Sequence, residues 1–155
     1  MKRTTQLILS GLLAGIFLSA CDQAPNSQAG AKTMAQKRDL DSPQVVRGRV
    51  IYDQHCAECH GAQGKGPIGD WRIRDAEGKF PPPPLDDSAH AWHHPTAVLL
   101  EMVREGSPQG QGNMPAWKEK LSEQNMQDVV AYIKSLWSDQ VYQLWMKMEQ
   151  QSLDG

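Results

Sequence analysis

The sequence predicts an all-α domain of about three main helices, and three observations predict it. Apolar residues recur at helical spacing in three separate segments, and no stretch alternates apolar with polar residues at the strand period. The segments are joined by loops too long for a domain with nothing but its own side chains to bury.

The first helix is expected to start at Ser42 and Pro43, where serine caps and proline takes the first helical position. Val46, Gly48, Val50, Ile51 and Tyr52 carry it to Cys56. Gly48 and Tyr52 are four apart and share a face, the glycine letting a second helix approach closely. The second helix is expected over residues 95–105, carrying Val98, Leu99, Met102 and Val103 and stopped by Gly106. The third covers residues 122–137. Ser122 caps it, and Met126, Val129, Val130, Ile133, Leu136 and Trp137 follow the helical period, making it the partner of the first.

The ends read differently from this body. Lys2 and Arg3 precede an apolar run over residues 7–18, too short to be a comfortable transmembrane helix, so residues 1–20 are expected to be a signal peptide. Leu18, Ser19, Ala20 and Cys21 resemble a bacterial lipobox, which implies lipidation of Cys21 and a membrane anchor there. Residues 21–43 show no apolar period and are expected to form a flexible tether, with a stretched reach of about 75 Å at ~3.3 Å per residue. Residues 139–155 form an extension in which Val141, Leu144, Trp145 and Met148 recur at the helical interval. It could fold back on the domain, lie on a membrane interface or dock a partner. Loss of Lys2 and Arg3 leaves 14 of 16 basic residues against 18 acidic ones, a formal charge of −4. That balance argues against nucleic acid as a partner.

Chemistry concentrates in residues 55–60, His-Cys-Ala-Glu-Cys-His. They contain C-x-x-C-H, the attachment sequence for covalent haem, in which Cys56 and Cys59 reach the vinyl edge of one porphyrin and His60 is carried to the iron. A thioredoxin-like dithiol would need a βαβ setting that is missing. Four zinc ligands within six consecutive residues could not easily surround one metal. A buried porphyrin would also supply core material to a mature chain that retains Phe80 as its one phenylalanine.

Taken in order along the chain, five pieces make residues 44–138 resemble a class I monohaem cytochrome c. They are Gly48 with Tyr52; residues 56–61, Cys-Ala-Glu-Cys-His-Gly; residues 64–67, Gly-Lys-Gly-Pro; residues 113–117, Asn-Met-Pro-Ala-Trp; and residues 131–136, Ala-Tyr-Ile-Lys-Ser-Leu. The resemblance implies one haem c held by Cys56 and Cys59, and iron bound by His60 through Nε2. It implies that the carbonyl of Pro67 orients that imidazole, and it makes Met114, in a proline-bounded loop, the best candidate for sixth ligand. A neutral thioether there favours ferrous iron and raises the potential.

Residues 70–94 depart from a minimal cytochrome. Arg72 or Arg74 could hold a haem propionate or be ordinary surface arginines, residues 81–84 are a stiff polyproline segment, and His90, His93 and His94 could bind copper or zinc or simply form a polar loop. The functional expectation is an electron carrier rather than an enzyme, lipid-anchored on the periplasmic face of a bacterial membrane. Asp22 inclines this to the inner membrane. Its partners would be a membrane electron donor and a terminal oxidase or reductase. The other expectation is a haem enzyme or sensor with a labile Met114, assisted by one of the three histidines.

Overall fold

In the computed structural model, residues 38–154 are described; the signal segment, Cys21 and most of the tether lie outside them. Helix α1 spans Pro43–His55, α2 Ala57–His60, α3 Thr96–Glu105, α4 Glu123–Ser135 and α5 Asp139–Asp154, with 3-10 turns at Ala62–Gly64 and Ala91–His93. Among the described residues no strand forms, and Phe80 and Gly112 meet in one isolated parallel bridge. The all-α class read from the sequence is therefore the observed one.

The principal packing is α1 across α4. Ser42 caps α1 by accepting the Val45 N–H, and Pro43 follows it. At Gly48 the two backbones meet so closely that an added Cβ would stand 1.9 Å from the Asp128 carbonyl oxygen. One turn later Tyr52 is fully buried, its ring 5.1 Å from that of Tyr132, and its hydroxyl donates to the Gly61 carbonyl at 2.8 Å. The same crossing holds an ion pair that the apolar pattern does not reveal. Arg47 donates through Nε to Asp128 Oδ2 at 2.6 Å and through Nη2 to Oδ1 at 3.2 Å. Gln124 adds a third bond to Asp128 at 2.8 Å. The Arg47 guanidinium holds this buried carboxyl below the usual carboxylate range.

Ser122 caps α4 by accepting the Asn125 N–H at 3.2 Å. Met126, Val129, Val130 and Ile133 form the core side of α4, joined by Val103 of α3 and by Leu121. The helix stops at Ser135, two residues short of the expected end, because Trp137 turns inward and its indole donates to the Leu85 carbonyl at 2.9 Å.

Helix α5 folds back on the domain. Trp145 is buried, 5.7 Å from Trp137 by ring centroids, and donates to the His94 carbonyl at 3.1 Å. Glu149 accepts the Thr96 N–H at 2.7 Å, supplying the acceptor that Pro95, as N-cap of α3, lacks. Lys134 lies 4.6 Å from the centre of the Trp145 ring and donates to Thr96 Oγ1, and burial lowers its pKa. The buried face centres on Trp145, flanked by Val141, Tyr142 and Met148, while Leu144 lies at its edge and stays 48% exposed. Loss of the buried Trp145 alone should remove about 3 kcal/mol. Truncation after Trp137 is thus expected to lower the melting temperature by about 10 °C. Calorimetry checks this, and an unchanged midpoint would mean that α5 rests on the domain without stabilising it.

Candidate functional site: an apolar cavity with two thiols, an imidazole and a thioether

A cavity of about 550 Å³ opens beside α2 and is bounded by α3, α4, the polyproline segment and the loop that follows α3. Val103, Leu121, Val129 and Ile133 make its floor apolar, and Cys56, Cys59, His60 and Met114 all line it. A void of this size is in the range of cofactor sites.

Cys56 caps α1 and leads into the single turn of α2, so the two thiols, three residues apart, lie on one side of that turn. Neither forms a disulfide. Burial, helped by the neighbouring Cys59 sulfur, pushes the Cys56 thiol up to about 11. Surroundings that disfavour a thiolate suit an uncharged thioether.

His60 is buried, and its Nδ1 lies 2.9 Å from the Pro83 carbonyl oxygen. A carbonyl only accepts, so Nδ1 carries the proton and the lone pair falls on Nε2, the atom left to bind a metal. Burial lowers the imidazole pKa and so favours the neutral ring, against the opposing effect of that hydrogen bond.

Pro67 therefore does not orient His60; Pro83 does. Pro67 follows Gly66 into an exposed loop and takes no part in the cavity wall. The polyproline segment instead lies against Gly66, where an added Cβ would stand 2.8 Å from Pro84, and Leu85 N–H donates to the Gly64 carbonyl at 2.6 Å. A polyproline stretch makes no internal hydrogen bonds, so its carbonyls are free to accept, and that is the sequence signal that points to this segment.

Arg72 lines the cavity, stacked at 4.7 Å over Trp71 and paired with Asp70 at 3.2 Å. Arg74 does not line it. Its guanidinium sits 3.9 Å over Phe80 and donates to the carbonyls of Gly78 and Gly110, pinning one loop to another. The three histidines of residues 90–94 engage aromatic neighbours: His90 stacks on Trp71 at 4.8 Å, His93 on Trp92 at 3.7 Å, and His94 meets the edge of His90 at 5.6 Å. Partial burial and the nearby His94 and His93 lower the His90 pKa. Among the described residues no group of three or more His, Cys, Asp or Glu side chains is placed to hold a metal ion. His55 packs on Trp117 at 5.3 Å.

The donor set fits haem. The thiols lie at the cavity wall for thioether bonds, the imidazole has its Nε2 lone pair uncommitted, and the remaining walls are aliphatic and aromatic.

Residues 43–133 match the family described as "Cytochrome C oxidase, cbb3-type, subunit III". Among curated proteins, the chain is 30% identical over 96 residues to the Cbb3-type cytochrome c oxidase subunit CcoP of Azospirillum sp. (strain B510), covering 62% of this chain and 30% of that protein. It is 29% identical over 124 residues to subunit FixP of Azorhizobium caulinodans, covering 77% of this chain and 38% of FixP. Cytochrome c6 of Chlorolobion braunii is 26% identical over 89 residues, covering 57% of this chain and 86% of that protein. The chain thus spans about a third of the length of the CcoP and FixP relatives. No solved structure matches it. With more than half of its length matched and a cavity that suits the group, the chain belongs to this cbb3-type subunit III family, as an all-α cytochrome c of the class I monohaem kind with one covalently bound haem c.

Proposed function

We propose that the protein is a membrane-tethered electron carrier on the periplasmic face of a bacterial membrane, with the haem iron held between His60 Nε2 and Met114 Sδ and the porphyrin joined to Cys56 and Cys59. The observation that carries this reading is the convergence of two thiols, a neutral imidazole and a thioether on one apolar cavity. Bound haem supplies a one-electron ferric/ferrous couple. The chain's own residues do the rest. Pro83 fixes the tautomer and direction of His60, Met114 contributes a soft neutral donor that favours the reduced state, and the aliphatic walls exclude water from the couple.

The lipobox-like residues ending at Cys21 support a lipid anchor there, and Asp22 inclines it to the inner membrane. Among the described residues no helix is long and apolar enough to cross a membrane. Similarity to oxidase subunits and to a cytochrome c6 supports exchange of electrons with other redox proteins, a membrane donor on one side and a terminal oxidase or reductase on the other. The acidic balance of the chain gives nucleic acid no role.

A carrier of this kind keeps both axial positions filled in both redox states, whereas a haem enzyme or sensor needs one open. The reduced protein is expected to be spectrally indifferent to carbon monoxide, and the ferric protein to show the near-infrared sulfur-to-iron band. Met114→His should abolish that band and lower the reduction potential by on the order of 100 mV or more, axial ligation being a main control of haem potentials. Carbon monoxide binding by the untreated protein would favour the enzyme or sensor, and survival of the band in the variant would move the sixth ligand elsewhere.

A further inference from the structure

Met114 lies in the loop between the end of α3 and Trp117, and the backbone at its base is held unusually closely. Gly106 ends α3 with φ +77°, and an added Cβ there would stand 2.5 Å from the Met114 carbonyl oxygen and 2.7 Å from the Pro115 carbonyl carbon. The next residue takes both polar backbone groups of Met114. Ser107 N–H donates to the Met114 carbonyl at 3.0 Å, and Met114 N–H donates to Ser107 Oγ at 3.1 Å. The rest of the loop is fixed by other means. Trp117 N–H donates to the carbonyls of Val103 and Arg104, both at 3.2 Å. On the far side Phe80 N–H donates to the Gln111 carbonyl at 2.9 Å, and Lys79 Nζ to Asn113 Oδ1 at 2.6 Å.

We propose that Ser107 is a positioning residue for the sixth ligand: its hydroxyl holds the Met114 backbone so that the thioether resists displacement by an external base. This rests on the reading of Met114 as ligand. A methionine side chain has three rotatable bonds and little stiffness of its own, so the direction in which its sulfur is presented depends on how firmly its backbone is held. Both flanks of the loop are tied independently of Ser107, which leaves the serine hydroxyl as the side-chain tie at Met114 itself. Removing it leaves a half-buried N–H without that acceptor in the closed state, while an opened loop can give the same N–H to water. The difference favours opening.

The test is an imidazole titration of the ferric full-length haem protein at neutral pH, followed by loss of the near-infrared sulfur-to-iron band. Ser107→Ala is expected to bind imidazole about fivefold more tightly than the wild type, equivalent to about 1 kcal/mol at 1.4 kcal/mol per factor of ten. Ser107→Thr, which keeps the hydroxyl, should stay near the wild-type affinity. The truncation after Trp137, which removes a helix anchored on Trp137, His94 and Thr96, should lower stability without tightening imidazole binding. Unchanged affinity in Ser107→Ala, with a normal band in the wild type, overturns the proposal alone. Equal tightening in the truncated chain reduces the effect to general loosening and also overturns it. Absence of the band from the wild type overturns the ligand reading and this proposal with it.

Discussion

Replacing Cys56 and Cys59 together with serine is expected to give a chain that loses its colour to acidified acetone and, once stripped of haem, has no cooperative melting transition. The reason is the cavity. A closed void of about 550 Å³ would cost on the order of 10 kcal/mol at ~24 cal/mol per Å³, and because this pocket opens to solvent that figure is the upper bound on the cost of leaving it empty. That is comparable with the whole stability of a small domain, about 5–15 kcal/mol. Val103, Leu121, Val129 and Ile133 line the pocket while belonging to the buried core, so the porphyrin would complete their packing on the side that faces the pocket. Serine keeps the shape of cysteine and forms no thioether, so the variant separates attachment from packing. Acid extraction, followed by near-ultraviolet circular dichroism and calorimetry of the stripped protein, checks both halves. Colour that stays with the polypeptide would refute the role of the thiols. A haem-free chain that melts as sharply and as late as the wild type would show instead that the cavity closes when empty.

How much of this was legible in the sequence depended on whether the signal was local. α1, α3 and α4 were readable because each carries its own boundary chemistry: Ser42 before Pro43, Ser122 accepting from Asn125, and Gly106 at the end of α3. The close approach of α1 to α4 at Gly48 was also readable, since a glycine one turn from a buried tyrosine has few other uses. What escaped was set by where distant loops dock. The partner of His60 is Pro83 rather than Pro67, and that depends on Gly64, Gly66 and Trp137 seating the polyproline segment. No periodicity encodes such a contact. Asp128 reads as one more polar residue on an amphipathic helix, yet it is buried, satisfied by Arg47 of α1 and by Gln124 one turn earlier in its own helix. In α5 the apolar period was right about Trp145 and Met148 and misplaced Leu144, whose position relative to the core is set by the rotation of the helix as Trp145 docks on His94. For Arg74 the sequence leaves a propionate partner and a surface arginine equally open, and the fold makes it a clasp between two loops, a role that needs residues 78 and 110 to be neighbours in space.

Gly48→Ala should be strongly destabilising, in a direction opposite to the intrinsic preference of the helix. In the interior of an isolated helix, alanine is better than glycine by up to about 1 kcal/mol. Here the added methyl would lie 1.9 Å from the Asp128 carbonyl oxygen, 2.6 Å from its carbon and 2.9 Å from Tyr132 Cβ. Two of those three are backbone atoms of α4 and cannot turn aside, so the helices themselves must separate. Separation opens the contact between the Tyr52 and Tyr132 rings and stretches the bonds from Arg47 to Asp128, which lie on the same crossing. It also pulls on the Tyr52 hydroxyl bond to Gly61, the residue directly after His60, so the disturbance reaches the edge of the haem site. Overpacking of this kind typically costs about 3 kcal/mol when backbone must move, and the melting temperature of the holoprotein is expected to fall by about 10 °C. The haem should remain covalently attached, because the substitution leaves Cys56, Cys59 and His60 in place. Denaturant unfolding of the variant and the wild type measures the difference. If Gly48→Ala proved as stable as the wild type or more so, the helical preference would have won, and α1 and α4 would have to cross with more room than the distances at Gly48 allow.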